Sequence, residues 1–130
     1  TFWITLPPLV TTADRLALTT IRQEHDYEMV YLTDRRIGLD YITQTVNWLV
    51  KYNLPNPYAV LTKGLTGQGK AETVKFIGAE AVLEDSPSNL KEIAALDMWD
   101  VYKMDRTYNK DAPGIPVRSV EEFCYKVMGL

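Results

Sequence analysis

The sequence predicts an α/β fold in which a mostly parallel sheet carries helices on both faces, a three-layer α/β/α arrangement. Three observations predict it. Short apolar runs alternate with segments of helical periodicity along the whole chain. Proline or glycine marks several of the changes from one to the other. The apolar run Val82-Leu83 ends in two adjacent carboxylates, Glu84-Asp85, followed by Ser86-Pro87 as N-cap and first helical residue. Acidic groups at the carboxyl end of a buried strand lie where open α/β sheets keep their ligands.

Taken in order, Phe2 to Leu6 before Pro7-Pro8 is a candidate strand. Residues 13–25 place Ala13, Leu16, Ala17 and Ile21 at helical spacing, with His25 as a favourable cation at the helix end. Residues 27–33 read as a strand. Residues 39–52 put Leu39, Ile42, Val46, Leu49 and Val50 on one helical face, and Asn53-Leu54-Pro55-Asn56-Pro57 ends that helix because proline cannot continue it. Tyr58 to Leu61 is a short strand, and Thr62 to Gly69, with its three glycines, is a loop. Residues 70–77 form a short helix that Gly78 stops. Residues 81–83 are a strand, 87–95 a helix with Leu90, Ile93 and Ala94 inward, and 98–104 a strand. Residues 105–117 read as an irregular loop with two prolines. Ser119-Val120-Glu121-Glu122 is a capping box opening the last helix, with Phe123 and Val127 on its buried stripe.

A chain of 130 residues suits one domain, and the expected domain spans residues 1–130. The net charge of −3 and pI near 5.1 argue against an extended nucleic-acid surface. No apolar run nears the length of a membrane span and no signal peptide opens the chain, a pattern that suits the cytoplasm. Cys124, the only cysteine, excludes an internal disulfide and reads as a buried structural thiol. Trp48, Trp99 and Tyr102 read as packing residues.

Three features fall at strand ends or helix starts on one expected rim. Thr33 closes the run Val30-Tyr31-Leu32, and its hydroxyl with the amides that follow can hold a phosphate oxygen, with Arg35 adding charge-assisted bonds. A capping threonine beside solvated arginines is the plainer reading of the same residues. Lys70 opens a helix and can neutralise a phosphoryl group, although a loop lysine is most often solvated surface. Gly67-Gln68-Gly69-Lys70 is not a Walker A loop, because no Ser or Thr follows the lysine and the spacing differs. Glu84 and Asp85 are hard oxygen donors that suit Mg²⁺. Tyr108 and Asn109 lie in the late loop near the rim, where they can contact a substrate or form an ordinary turn.

The order hydroxyl, lysine, carboxylate pair resembles the haloacid dehalogenase (HAD) superfamily of phosphatases, whose core is Rossmann-like. Val30-Tyr31-Leu32-Thr33-Asp34-Arg35 resembles the second motif of that family, and Lys70-Ala71-Glu72 through Val82-Leu83-Glu84-Asp85 the third and fourth. Phe2-Trp3-Ile4-Thr5-Leu6-Pro7-Pro8, Gln44-Thr45-Val46-Asn47-Trp48-Leu49 and Tyr108-Asn109 resemble segments of small phage and bacterial members related to 5′-nucleotidases. The resemblance implies that Thr33 binds a phosphate oxygen, that Lys70 steadies the nucleophile and the phosphoryl group, and that Asp85 binds Mg²⁺, with Glu84 either a further ligand or a hydrogen-bond acceptor behind it. It implies a phosphorylated small molecule as ligand, nucleotides included, with Arg35, Tyr108 and Asn109 at the substrate.

One departure governs the functional expectation. The family's first motif, Asp-x-Asp, supplies the attacking carboxylate and the acid/base, and no Asp-x-Asp occurs in these residues. The expected location of that motif is upstream of Thr1, leaving the domain incomplete at its N-terminus. The alternative is that Phe2 to Leu6 is a degenerate first strand. The sheet is therefore expected to show a gap or an atypical strand at its centre, with Thr33, Lys70 and Asp85 converging on one cleft within about 10 Å. Hydrolysis is expected only with the missing motif. The competing readings are a non-catalytic HAD-like protein that binds a ligand or a protein partner, within a phage particle for example, and an unrelated open-sheet domain.

Overall fold

The computed structural model describes residues 2–4, 11–24, 28–33, 39–55, 60–62, 70–96 and 100–129, with the backbone alone at 2–4, 32, 33, 39–42, 60–62 and 70. The strands are β1 (Phe2–Ile4), β2 (Met29–Thr33), β3 (Val60–Thr62), β4 (Ala81–Glu84), β5 (Asp100–Met104) and β6 (Ile115–Val117). The helices are α1 (Thr12–Glu24), α2 (Leu39–Lys51), α3 (Lys70–Ile77), α4 (Pro87–Ala94) and α5 (Val120–Met128). The strands form one sheet in the order β3-β2-β1-β4-β5-β6, and every neighbouring pair is parallel. This is the order of a doubly wound α/β sheet, which reverses direction beside β1.

Of the expected gap or atypical strand at the centre of the sheet, the second is found: the three-residue strand Phe2–Ile4 lies between β2 and β4, which are not paired directly. Phe2, Trp3 and Ile4 pair with Met29, Val30 and Tyr31 on one side and with Ala81, Val82 and Leu83 on the other. The slot between β2 and β4 is thus filled, as the degenerate-strand alternative requires. Residues 5–10, which follow it, lie outside the described residues, as do His25, Arg35 and Trp99.

β4 is buried along its whole length. Ala81 and Leu83 join a cluster with Ala17, Leu18 and Ile21 of α1, Leu49 of α2, and Val120, Phe123 and Cys124 of α5. Val82, between them, joins a separate cluster with Ala71 and Val74 of α3 and Ile93 of α4. Successive strand residues point to opposite faces, so one strand feeds both clusters.

The helix faces differ from the sequence reading in two places. On α1 the buried stripe is Asp14, Ala17, Leu18 and Ile21, while Leu16 is 64% exposed. The spacing i, i+3, i+4, i+7 holds, but it starts on an acidic residue that an apolarity pattern skips. On α2, Leu49 is fully buried whereas Val50, about 100° further round the helix, is half exposed. Trp48 packs partly buried against the larger cluster, and Val127 of α5 does the same.

β6 lies inside the segment read as irregular loop. Pro116 pairs with Lys103 on an outermost strand of the sheet, where a residue without an N–H is tolerated. The connection from β5 to β6 holds only a 3-10 turn, Thr107–Asn109, where a parallel pair usually takes a longer crossover. Gly114 ends it at φ +122°, and a Cβ there would meet Lys103 Cβ at 3.4 Å.

The cap of the last helix follows the sequence. Ser119 Oγ accepts the Glu122 amide at 3.0 Å, and the Glu122 carboxylate accepts the Arg118 amide at 3.0 Å, one residue earlier than a strict capping box. Gly129, at φ +81°, supplies the left-handed C-cap of α5.

Cys124 is fully buried, as expected of a structural thiol. Burial first, then the Asp14 and Glu121 carboxylates, push its pKa from 9.0 up to about 12. Burial likewise raises the Tyr31 phenol, whose hydroxyl donates to the Pro55 carbonyl at 2.6 Å. For an acid whose folded pKa lies above its unfolded one, the stabilisation is present below the unfolded value and lost as pH rises through the folded value. The chain should therefore lose stability progressively between pH 9 and about 12. Ellman's reagent at pH 8 should label Cys124 only when urea is added; rapid labelling of the native chain would show an open thiol.

Candidate functional site

Because β2, β1 and β4 run parallel, Thr33 and Glu84 end on the same edge of the sheet, on either side of the central strand. α3 returns from the carboxyl end of β3 to the amino end of β4, so its first residue, Lys70, opens at that same edge. Thr33, Lys70 and the Glu84-Asp85 turn thus share one rim. The side chains of Thr33 and Lys70 lie outside the described residues, and so does their convergence on one cleft.

The Glu84-Asp85-Ser86 turn is described in full. Glu84 is 1% exposed, and its Oε1 accepts the amides of Asp85 at 3.0 Å and Ser86 at 3.1 Å. These bonds clamp the strand-to-helix turn and commit one carboxylate oxygen to backbone. Ser86 is the N-cap of α4 with Pro87 behind it, but its hydroxyl meets Ser88 Oγ at 3.2 Å and caps no amide.

Asp85 is partly buried and faces the 3-10 turn. Tyr108 Oη donates to Asp85 Oδ2 at 2.5 Å. This bond is the chief reason the Tyr108 phenol lies above its usual range, with burial and the Asp85 charge adding and Arg106 opposing. The phenol thus stays a donor to the carboxylate, while Tyr108 as a residue is 57% exposed. Asn109 lies beneath, 1% exposed. Its Nδ2 donates to the carbonyls of Asp85 at 3.0 Å and Met104 at 2.7 Å, and its Oδ1 accepts the Arg106 amide at 3.0 Å. A carboxamide so engaged has little left for a ligand; its geometry holds Asp85 in place.

Sequence reasoning passed over Lys103. It is 6% exposed, and its Nζ donates to the carbonyls of Asn109 at 3.0 Å, Lys110 at 3.0 Å and Ala112 at 2.8 Å. Three acceptors match the three N–H donors of an ammonium. The available signal was a lone charge inside the apolar strand Val101-Tyr102-Lys103-Met104, just before a proline- and glycine-bearing segment.

Among the described residues no group of three or more His, Cys, Asp or Glu side chains is placed to hold a metal ion. The donor that this turn offers a hard cation is Asp85, whose Oδ1 carries no hydrogen bond among the described residues. Mg²⁺ demands near-octahedral oxygen coordination, so Asp85 would hold it only together with water and oxygens of a ligand. Among the described residues no helix is long and apolar enough to cross a membrane. No protein-family model, curated protein or solved structure matches the chain.

Proposed function

We propose that these residues form the phosphate-holding part of a HAD-like phosphomonoester hydrolase of the nucleotidase kind, without its attacking Asp-x-Asp. The observation that carries this reading is the strand order, with Thr33, Lys70 and Asp85 on the one rim that flanks the central strand. The Thr33 hydroxyl and the amides after it bind a phosphoryl oxygen. Lys70 neutralises the phosphoryl charge, and Arg35 adds a second cation. Asp85, fixed by Tyr108 and Asn109, orients the cation side of the site, where Mg²⁺ would supply charge neutralisation. The exposed residue Tyr108 is available to the organic part of a phosphorylated small molecule such as a nucleotide. The separate burial of the two faces of β4 supports the three-layer arrangement that this reading assumes. A cytoplasmic setting belongs to the same proposal.

One observation favours the second reading, a non-catalytic HAD-like protein that binds a ligand or a protein partner. Phe2–Ile4 fills the central position from which the attacking carboxylate would project. Both readings expect no turnover of nucleoside monophosphates by residues 1–130 in the presence of Mg²⁺, because the remaining groups only assist an attack. Because the central slot is filled, they part when an Asp-x-Asp is introduced by substitution directly after Ile4, as Thr5→Asp with Pro7→Asp. The hydrolase reading expects phosphate release to appear, and Asp85→Asn to abolish it. The binding reading expects none, with nucleotide binding by titration calorimetry weakened by Lys70→Met. Turnover by residues 1–130 alone would sink the account of the missing nucleophile. Absence of both turnover and binding would sink both readings.

A further inference from the structure

The β5–β6 connection packs against the rim through two contacts, and a single buried side chain organises it. Lys103 gathers the carbonyls of Asn109, Lys110 and Ala112 with bonds of 2.8 to 3.0 Å. The Asn109 carbonyl also accepts the Ala112 amide at 3.0 Å, whereas those of Lys110 and Ala112, both part-buried at this bond, have no other hydrogen bond among the described residues, and a carbonyl removed from water without a partner is costly. The segment so held carries Tyr108 and Asn109, whose bonds reach the side chain and the backbone carbonyl of Asp85 across 23 and 24 residues of sequence. The sheet pairing of Glu84 with Lys103 sets the two strands side by side just before the turn and the loop diverge.

We propose that Lys103 is a positioning residue for Asp85: its ammonium sets the 107–112 segment, and that segment orients the rim carboxylate. The three N–H donors of the Lys103 ammonium are engaged by the carbonyls of Asn109, Lys110 and Ala112. The lysine acts through Asn109, which joins Met104, Arg106 and Asp85 into one unit. As a functional statement the proposal rests on the reading of Asp85 as part of a phosphate- and cation-binding rim.

Native-state hydrogen exchange on the wild-type chain tests the coupling without any ligand. The amides of Asn109 and Ala112, bonded to the carbonyls of Arg106 and Asn109, should open together with those of Asp85 and Ser86, with one dependence on denaturant. In Lys103→Met all four should exchange roughly tenfold faster or more, while Leu18 and Ile21 in α1 keep their protection. Affinity for inorganic phosphate in the presence of Mg²⁺ should fall by roughly tenfold or more, the usual loss when a group supporting a ligand residue is removed. Opening of Asn109 and Ala112 in the wild type without Asp85 and Ser86 overturns the proposal, and this measurement decides even if the variant does not fold. Equal acceleration throughout α1 in Lys103→Met also overturns it, because the lysine is then a general stabiliser. If the wild-type chain binds no inorganic phosphate while the local exchange pattern holds, the phosphate reading of the rim fails and the positioning role stands.

Discussion

Phe123→Ala is expected to destabilise the chain by about 4 kcal/mol, the usual range for emptying a buried aromatic site. Phe123 is fully buried on α5, in the cluster that also holds Leu18 and Ile21 of α1 and Leu83 of β4. Its ring meets that of Tyr102 edge-on, with centroids 5.3 Å apart and planes at 75°. Truncation removes this contact and leaves a cavity where the last helix closes over the sheet. Collapse around the cavity is restrained, because Tyr102 belongs to a strand paired on both sides. A domain of this size has roughly 5–15 kcal/mol of stability in total, so the variant should unfold at markedly lower urea. Phe123→Leu should recover most of the loss. A midpoint unchanged by Phe123→Ala would mean that α5 does not seal the core.

Asp14→Ala is expected to cost about 3 kcal/mol, at the upper end for a buried carboxylate whose partners are left without an acceptor. Asp14 is 4% exposed and serves two helices at once. Its Oδ2 accepts the Thr11 amide at 3.1 Å, and Thr11 Oγ1 accepts the Asp14 amide at 3.1 Å, a reciprocal box at the start of α1. Its Oδ1 accepts the Glu121 amide at 2.9 Å, in the first turn of α5, 107 residues away. A carboxylate at two helix N-termini also meets the positive ends of both dipoles. Thr11→Ala removes only the local half of the arrangement and should cost about 1 kcal/mol. Thermal unfolding of the two variants separates a local cap from an inter-helix tie. Equal losses for both would show that the Glu121 bond adds nothing.

These two residues also mark where sequence reading stops. Phe123 was legible, since the capping signal at Ser119 starts the helix and its periodicity turns Phe123 inward. Asp14 was legible as a helix residue and nothing more, because its second partner is brought to it only by folding. The same holds at the rim. Thr33, Lys70, Glu84 and Asp85 stand out because strand ends and helix starts are local events with local signals. Tyr108 was noticed, but its bond to Asp85 joins residues that no spacing rule connects. Asn109 was noticed as a candidate ligand contact, whereas its amide is taken up by backbone. Lys103 was passed over because its three acceptors come from a segment whose path is set by a strand that Pro116 disguised.

By itself the sequence determined the α/β class, the alternation that makes the sheet parallel, the starts of α3, α4 and α5, and the lack of an Asp-x-Asp in these residues. It could do so because periodicity, caps and turn residues act within a few positions of one another. Tertiary structure decided which segment takes the centre of the sheet, that Pro116 lies on an edge strand, which face of α1 is buried, and what Glu84, Asp85, Lys103 and Asn109 bond to. Those outcomes depend on partners distant along the chain, and a buried polar group takes whichever partner the assembled fold brings within reach.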